Sequence, residues 1–152
     1  MEIGDFLTPE RIVLDTKLRD KAHLISEAAR LCHVPHAGPP PAAIEDALLA
    51  RERLGSTGLG AGFALPHARV EGLDDYVGLF LRLAKPIAFE AIDGQPVDLA
   101  FVLLIPFETK TPHVAVLAAI ARRIRDAAVA ARLRAAKTPD AVRDLLTGTK
   151  TS

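Results

Sequence analysis

Apolar residues recur with helical spacing in the first third of the chain. The pattern covers residues 21–34 and again 42–53, where apolar side chains three and four positions apart fall on one face. Gly55 follows the second stretch, at the position where a helix C-terminus favours glycine. The proline-rich run 38–41 separates the two stretches, and residues 11–14 form a short apolar run before them. We therefore predict an edge strand followed by two helices.

The middle third carries the spacing and composition of β-strands. Residues 76–84 and 97–105 are rich in branched and aromatic side chains and are bounded by proline and glycine. The second run is almost continuously apolar, as expected for a central strand covered on both faces. Residues 63–65 form a shorter candidate strand, which we expect Pro66 to end.

The last third returns to helical patterns. One helix is predicted from Thr111 or Pro112, and another over about residues 127–136. Thr138 is followed by a proline at the first helical position, which predicts a final helix through Leu146. Helices on both sides of the strand-rich region predict an α/β fold with a mixed sheet between helices.

Composition and charge narrow the class of protein. The 152 residues suit one domain, 1–152, and 19 Lys and Arg residues balance 19 Asp and Glu residues. This balance argues against nucleic-acid binding by general phosphate attraction and against a polybasic membrane surface. The single cysteine allows no internal disulfide. The N-terminus lacks the pattern of a signal peptide, and no apolar run is long enough for membrane insertion, so we expect a cytoplasmic protein.

The densest candidate for chemistry is the glycine-rich loop between Arg51 and His67. Four glycines and two hydroxyl residues occupy eight consecutive positions, and such a loop can direct several N–H groups at one anion. Ala61 and Gly62 stand where a nucleotide-binding P-loop needs Lys and Ser or Thr, which argues against a bound nucleotide. A glycine-rich turn that merely joins a helix to a strand remains the alternative.

His67 gives this loop a chemical role. Neutral imidazole has a free lone pair near pH 7 and can accept a phosphoryl group directly, forming a labile P–N bond. Loop N–H groups with Ser56 and Thr57 could bind the phosphoryl oxygens, and Arg51 could oppose their charge. The ordinary alternative is a hydrogen-bonded histidine at the rim of the sheet.

A second histidine and a cysteine–histidine motif are weaker candidates for a functional site. His113 falls in the first turn of a predicted helix, where the positive end of the helix dipole favours an anion. Cys32, His33 and His36 have the look of metal ligands, but no fourth ligand lies nearby. We therefore expect no metal and no cofactor, with Cys32 in the core.

These motifs together resemble a known family. The segment R-E-x-L-G-S-T-G-L-G-x-G-F-A-L-P-H, residues 51–67, is similar to the active-site segment of IIA domains of the phosphoenolpyruvate phosphotransferase system, fructose/mannitol type. Residues 84–106 and the T-K-T-P-H-V segment are also similar, and the chain looks nearest to the nitrogen-regulatory branch. The proline-rich run 38–41 and Pro112 depart from the family pattern.

The resemblance implies a fold and a role for each site residue. It implies a mixed, mainly parallel sheet flanked by helices on both faces. His67 would take a phosphoryl group from an HPr-type phosphocarrier protein, and His113 would be a second active-site histidine that is not phosphorylated. Arg51 would stabilise charge. The phosphoryl loop would comprise Gly55, Ser56, Thr57 and Gly58.

Three functions are consistent with this picture. The leading hypothesis is a phosphohistidine carrier that acts mainly as a nitrogen-type regulator of other proteins. A sugar-specific IIA component would instead pass its phosphoryl group to a separate IIB component. The third is a non-catalytic module that binds a phosphorylated ligand, with His67 only donating a hydrogen bond.

Overall fold

The computed structural model describes residues 2–109 and 113–148. After two short 3-10 turns, six strands and five helices follow. The strands are β1 (Ile12–Thr16), β2 (Gly58–Gly60), β3 (Phe63–Ala64), β4 (His67–Val70), β5 (Val77–Ile87) and β6 (Val97–Pro106). The helices are α1 (Lys21–Cys32), α2 (Pro41–Arg53), α3 (His113–Arg125), α4 (Ala127–Ala135) and α5 (Pro139–Thr147).

All six strands form one mixed sheet. Its order is β1-β5-β6-β3-β2, with β4 also paired to β6. Three of the five pairings are parallel, while the β5–β6 and β2–β3 pairings are antiparallel. The predicted mixed α/β sheet is confirmed, and β1 lies at the predicted edge.

Strand β6 is the centre of the sheet, as its apolar sequence predicted. It pairs with β5 along one side and with β3 and β4 in succession along the other. Strand β3 ends at Ala64, before Pro66 as predicted, but β4 begins directly after the proline. Proline lacks a hydrogen-bond donor but keeps its acceptor, and the Leu103 N–H donates to the Pro66 carbonyl at 2.9 Å. The chain therefore stays beside β6 across the proline.

Helices cover both faces of the sheet. Alternate residues of β6 point to opposite sides, so Ala100, Val102 and Leu104 pack with α1 and α2. Phe101 and Leu103 pack on the other side with α3, α4 and α5. The predicted arrangement of helices on both faces is thus confirmed.

Helix ends follow local signals closely. The Thr138 side chain accepts a hydrogen bond from the Ala141 N–H at 3.1 Å, as its predicted N-cap role requires. Helix α1 ends at Cys32, two residues earlier than predicted, and α2 begins within the proline-rich run. The alternative helix starts at Thr111 and Pro112 lie outside the described residues. Across residues 2–109 and 113–148, every helix is too short or too polar to cross a membrane.

Candidate functional site

Strand β4 determines which way His67 faces. Ala68 and Val70 are buried in the core beneath α1 and α2. Because side chains alternate along a strand, half-buried His67 and exposed Arg69 lie on the other face of the sheet. That face is the one covered by α3, which begins at His113. The two histidines, 46 positions apart in the chain, are thereby brought to the same side of the sheet.

A backbone carbonyl fixes the tautomer of His67. The Nδ1 atom lies 2.8 Å from the Leu65 carbonyl oxygen. A carbonyl only accepts hydrogen bonds, so Nδ1 carries the proton and the lone pair is on Nε2. Burial lowers the pKa of His67, and the charge of Arg51 acts in the same direction. The imidazole is therefore neutral near pH 7, as a nucleophile must be.

His67 lies in an open depression of about 320 Å³. The polar residues that line it are Arg51, Ser56, Thr57 and His67. Its apolar lining comes from the glycine-rich loop and from α3, namely Leu59, Leu65, Val114, Leu117, Ala118 and Ala121. Four of the residues predicted from the sequence thus share one surface, and the α3 residues between Val114 and Ala121 form its opposite wall.

The glycine-rich loop does not present a row of free N–H groups. The Gly55 N–H donates to the Glu52 carbonyl at 3.1 Å, and the Thr57 N–H to the Glu52 carboxylate at 3.1 Å. The Gly58 N–H donates to Ser56 Oγ, also at 3.1 Å. The predicted convergence of these three donors on an anion is therefore wrong for this conformation, because α2 and the loop itself already satisfy them.

The two loop hydroxyls are engaged as well. Thr57 is only 3% exposed, and its hydroxyl donates to the Glu52 carboxylate. Ser56 Oγ donates to the Phe89 carbonyl at 2.7 Å. A Cβ on Gly58 would lie 2.8 Å from Ala91 Cα, so glycine is needed there for close chain packing. These contacts give the loop residues a structural task at the site.

Arg51 is a positively charged residue on the α2 side of the depression. Its Nη1 atom donates to the Gly55 carbonyl at 2.9 Å, which holds the guanidinium at the edge of the depression. Guanidinium groups suit phosphate because their donors match two oxygens at once. Arg51 therefore lies in the same depression as His67, and its role in opposing phosphoryl charge stays a prediction.

Glu52 is a site residue that the sequence analysis missed. Its side chain is 6% exposed and accepts hydrogen bonds from Thr57 and, at 2.9 Å, from Lys21 Nζ. The Lys21 ammonium also lies 4.6 Å from the centroid of the Phe89 ring. One signal was available, because Ile44, Leu48 and Glu52 are spaced by four and place an acid on the buried stripe of α2.

Arg69 is the second residue that was missed. Its Nη2 atom lies 3.4 Å from His113 Nδ1. The available signal was strand alternation, since a residue two positions after His67 in an extended segment shares its face. A second guanidinium thus lies beside His113.

The other histidine motif does not form a comparable cluster. Cys32 is buried, which confirms its predicted place in the core, and burial raises the pKa of its thiol to about 12. His33 Nδ1 lies 3.2 Å from the Pro39 carbonyl oxygen. Within residues 2–109 and 113–148, no three His, Cys, Asp or Glu side chains are grouped to hold a metal ion.

Comparison with known proteins gives this geometry a context. A nitrogen regulatory protein of Bradyrhizobium diazoefficiens is 41% identical over 147 residues, covering 96% of this chain and 95% of that protein. The crystal structure of the nitrogen regulatory protein IIA-Ntr from Neisseria meningitidis has a TM-score of 0.91 at 37% identity. The match covers 95% of this chain and 99% of the Neisseria chain.

A more distant structure shares the fold. Escherichia coli enzyme IIAMTL, solved in complex with phosphorylated enzyme IIBMTL, has a TM-score of 0.79 at 23% identity, covering 93% of this chain and 97% of its own. The family model for the phosphoenolpyruvate-dependent sugar phosphotransferase system, EIIA 2, matches residues 5–148. The family predicted from residues 51–67 is confirmed, and the chain belongs to the EIIA 2 family of the phosphotransferase system.

Proposed function

We propose that this protein carries a phosphoryl group on Nε2 of His67, accepts it from an HPr-type phosphocarrier and acts mainly as a nitrogen-type regulator of other proteins. The observation that carries the proposal is the hydrogen bond between His67 Nδ1 and the Leu65 carbonyl. It leaves the lone pair on Nε2 of a ring that lines an open depression beside Arg51.

The transfer step needs little chemistry from the protein. The Nε2 lone pair attacks phosphorus, the P–N bond of the donor breaks, and its electron pair returns to the donor nitrogen. No proton moves, because the proton on His67 Nδ1 stays there and remains hydrogen-bonded to the Leu65 carbonyl oxygen. The phosphorylated ring is then cationic, which makes it a good leaving group for the next transfer. Arg51 opposes the charge on the phosphoryl oxygens.

The rim of the site supports a protein as the phosphoryl donor. Val114, which lines the depression, is 69% exposed, and Leu54, which directly follows α2 and precedes the glycine-rich loop, is 84% exposed. Exposed apolar side chains beside a polar centre are typical of surfaces that bind other proteins. A small-molecule site would instead enclose its ligand.

The nitrogen-regulatory relatives favour a regulatory output. Both the Bradyrhizobium protein and the Neisseria structure match this chain over nearly their whole lengths. Phosphorylation adds charge and three acceptor oxygens to the docking surface, so a target that binds one state is disfavoured by the other. The alternative, transfer to a separate IIB component for sugar uptake, uses the same His67 chemistry.

The test is phosphorylation in a reconstituted system. The protein is incubated with phosphoenolpyruvate, the general phosphotransferase and an HPr-type carrier, and acid-labile phosphate is measured by 31P NMR. We expect stoichiometric labelling of the wild type and of His36→Ala, an exposed-histidine control, and none of His67→Ala. Labelling of His67→Ala, or none of the wild type, would refute the proposal. Rapid discharge to a IIB component would favour the transport role.

A further inference from the structure

The two histidines of the site are held as opposite tautomers. His67 Nδ1 donates to a carbonyl, so its free lone pair is on Nε2. His113 Nδ1 lies 3.4 Å from Arg69 Nη2, and a guanidinium has donors only. His113 Nδ1 must therefore accept, and in the neutral ring the proton is on Nε2. One ring offers a lone pair and the other offers an N–H.

We propose that Arg69 is a positioning residue that holds His113 as the Nε2–H tautomer, so that His113 donates a hydrogen bond to the phosphoryl group on His67. The proposal rests on the proposed function of His67. Arg69 acts through His113, and its guanidinium also places a positive charge beside that ring.

Strand geometry places Arg69 where this role requires it. Arg69 lies two positions after His67 on β4, so the two residues are on the same face and roughly 6.6 Å apart along the strand. A long arginine side chain can span that distance. Arg69 is exposed, whereas its neighbours Ala68 and Val70 are buried in the core. Its side chain is therefore not committed to packing. Among the described residues, the hydrogen bond that fixes its direction is the one to His113.

The opposite tautomer of His113 would work against transfer. An Nδ1–H ring would turn the Nε2 lone pair toward the phosphoryl oxygens, and two sets of lone pairs repel. An Nε2–H ring instead donates to an oxygen while phosphorus moves from the donor nitrogen to His67 Nε2. Arg69 and His113 give up no proton in this step, so the P–N bond that breaks and the one that forms remain the only covalent changes.

A spectroscopic test reads the tautomer directly. Long-range 1H–15N spectra of the unphosphorylated protein should show His67 as Nδ1–H and His113 as Nε2–H. In Arg69→Met, the His113 Nδ1 resonance should move toward that of an unbonded ring nitrogen, while His67 is unchanged. An Nδ1–H tautomer at His113 in the wild type, or an Nδ1 shift that Arg69→Met leaves in place, would overturn the proposal.

A kinetic test separates positioning from docking. With a phosphorylated HPr-type carrier, Arg69→Met should lower kcat about tenfold with KM nearly unchanged, and Arg69→Lys should recover part of the rate. Arg132→Met, the same change at an exposed arginine on α4, should leave both constants unchanged. A rise in KM alone, or an unchanged kcat, would contradict the positioning role.

The two proposals fail in different ways. A wild-type protein that takes up no phosphate refutes the proposed function, and the NMR spectra still decide the tautomer of His113. A wild type that is phosphorylated normally, with Arg69→Met equally fast, refutes only the role of Arg69.

Discussion

The two walls of the depression around His67 are built in different ways. On the α2 side, the loop is tied by hydrogen bonds from Gly55, Thr57 and Gly58, and the Glu52 carboxylate is buried beneath it. On the α3 side, His113 is held by one long hydrogen bond at the surface, next to the exposed Val114.

This difference assigns separate tasks to the walls. The α2 wall is a fixed support, since its donors are satisfied before any phosphate arrives and it has nothing to rearrange. The α3 wall is accessible to a partner, and its polar side chains are available to bind phosphoryl oxygens. Substitutions among the buried polar contacts of the α2 wall should therefore act mainly on stability. Substitutions in the α3 wall, or of Arg51 at the edge of the depression, should act mainly on transfer rate.

The largest effect is expected from Glu52→Ala. It leaves the Thr57 N–H and hydroxyl and the Lys21 ammonium without their common acceptor, so we expect the free energy of unfolding to fall by about 3 kcal/mol. Urea denaturation measures this change. Glu90→Ala is the matched control, because Glu90 is the other acid near Lys21, at 3.6 Å, but is exposed. It should cost less than about 0.5 kcal/mol. Equal losses in both variants would refute the description of the α2 wall.

His113→Ala tests the other wall. Removing a hydrogen-bond donor to the phosphoryl group should slow phosphorylation of His67 by about 10- to 100-fold, with stability changed by less than about 0.5 kcal/mol. Stopped-flow transfer from a phosphorylated carrier measures the rate, and urea denaturation measures the stability. His67 should still become fully labelled at long times. Phosphate attached to His113 in the wild type would show that the roles of the two rings are reversed.

Thr57→Val should have a smaller effect, confined to stability. The substitution keeps the shape of the side chain and removes the hydroxyl that donates to Glu52, which should cost about 1 kcal/mol. A double-mutant cycle with Glu52→Gln isolates this bond, and we expect a coupling of about 1 kcal/mol. Additive losses would mean that the hydroxyl and the carboxylate do not interact.

The smallest effect concerns pH. Because burial lowers the pKa of His67, the unfolded chain takes up a proton here at higher pH than the folded protein does. The contribution of His67 to stability is therefore complete above about pH 6.5 and is lost as the pH falls through the lower pKa of the folded state. Urea denaturation of wild type and His67→Gln from pH 8 to 5 should show the wild type losing stability faster on acidification. Parallel curves would contradict the lowered pKa.

Local patterns in the sequence were sufficient for most of the fold. The helices and the long strands β5 and β6 were predicted because periodicity and capping are local properties of the chain. Strands β2 and β4 were missed because they are short, rich in glycine or next to proline. Their extended form depends on pairing, β2 with β3 and β4 with β6, which no local signal encodes.

The site was predictable only in part for the same reason. Arg51 and His67 could be identified because both belong to the segment 51–67 that carries the family resemblance. Glu52 gains its role from Lys21, which lies 31 positions earlier, and Arg69 meets a histidine 44 positions later. The spacing on α2 could have indicated Glu52, and strand alternation on β4 could have indicated Arg69. Their partners, however, are set by the packing of helices on the sheet.

The carbonyl of Leu65 has a consequence for how this site can change over generations. A main-chain oxygen is present whatever residue occupies position 65, so substitutions that preserve the turn at Pro66 cannot remove the acceptor that sets the His67 tautomer. The nitrogen that we propose to be reactive is thus inherited with the path of the backbone. The tautomer of His67 is robust to sequence drift, and variation among descendants of this protein should accumulate in the side chains around it.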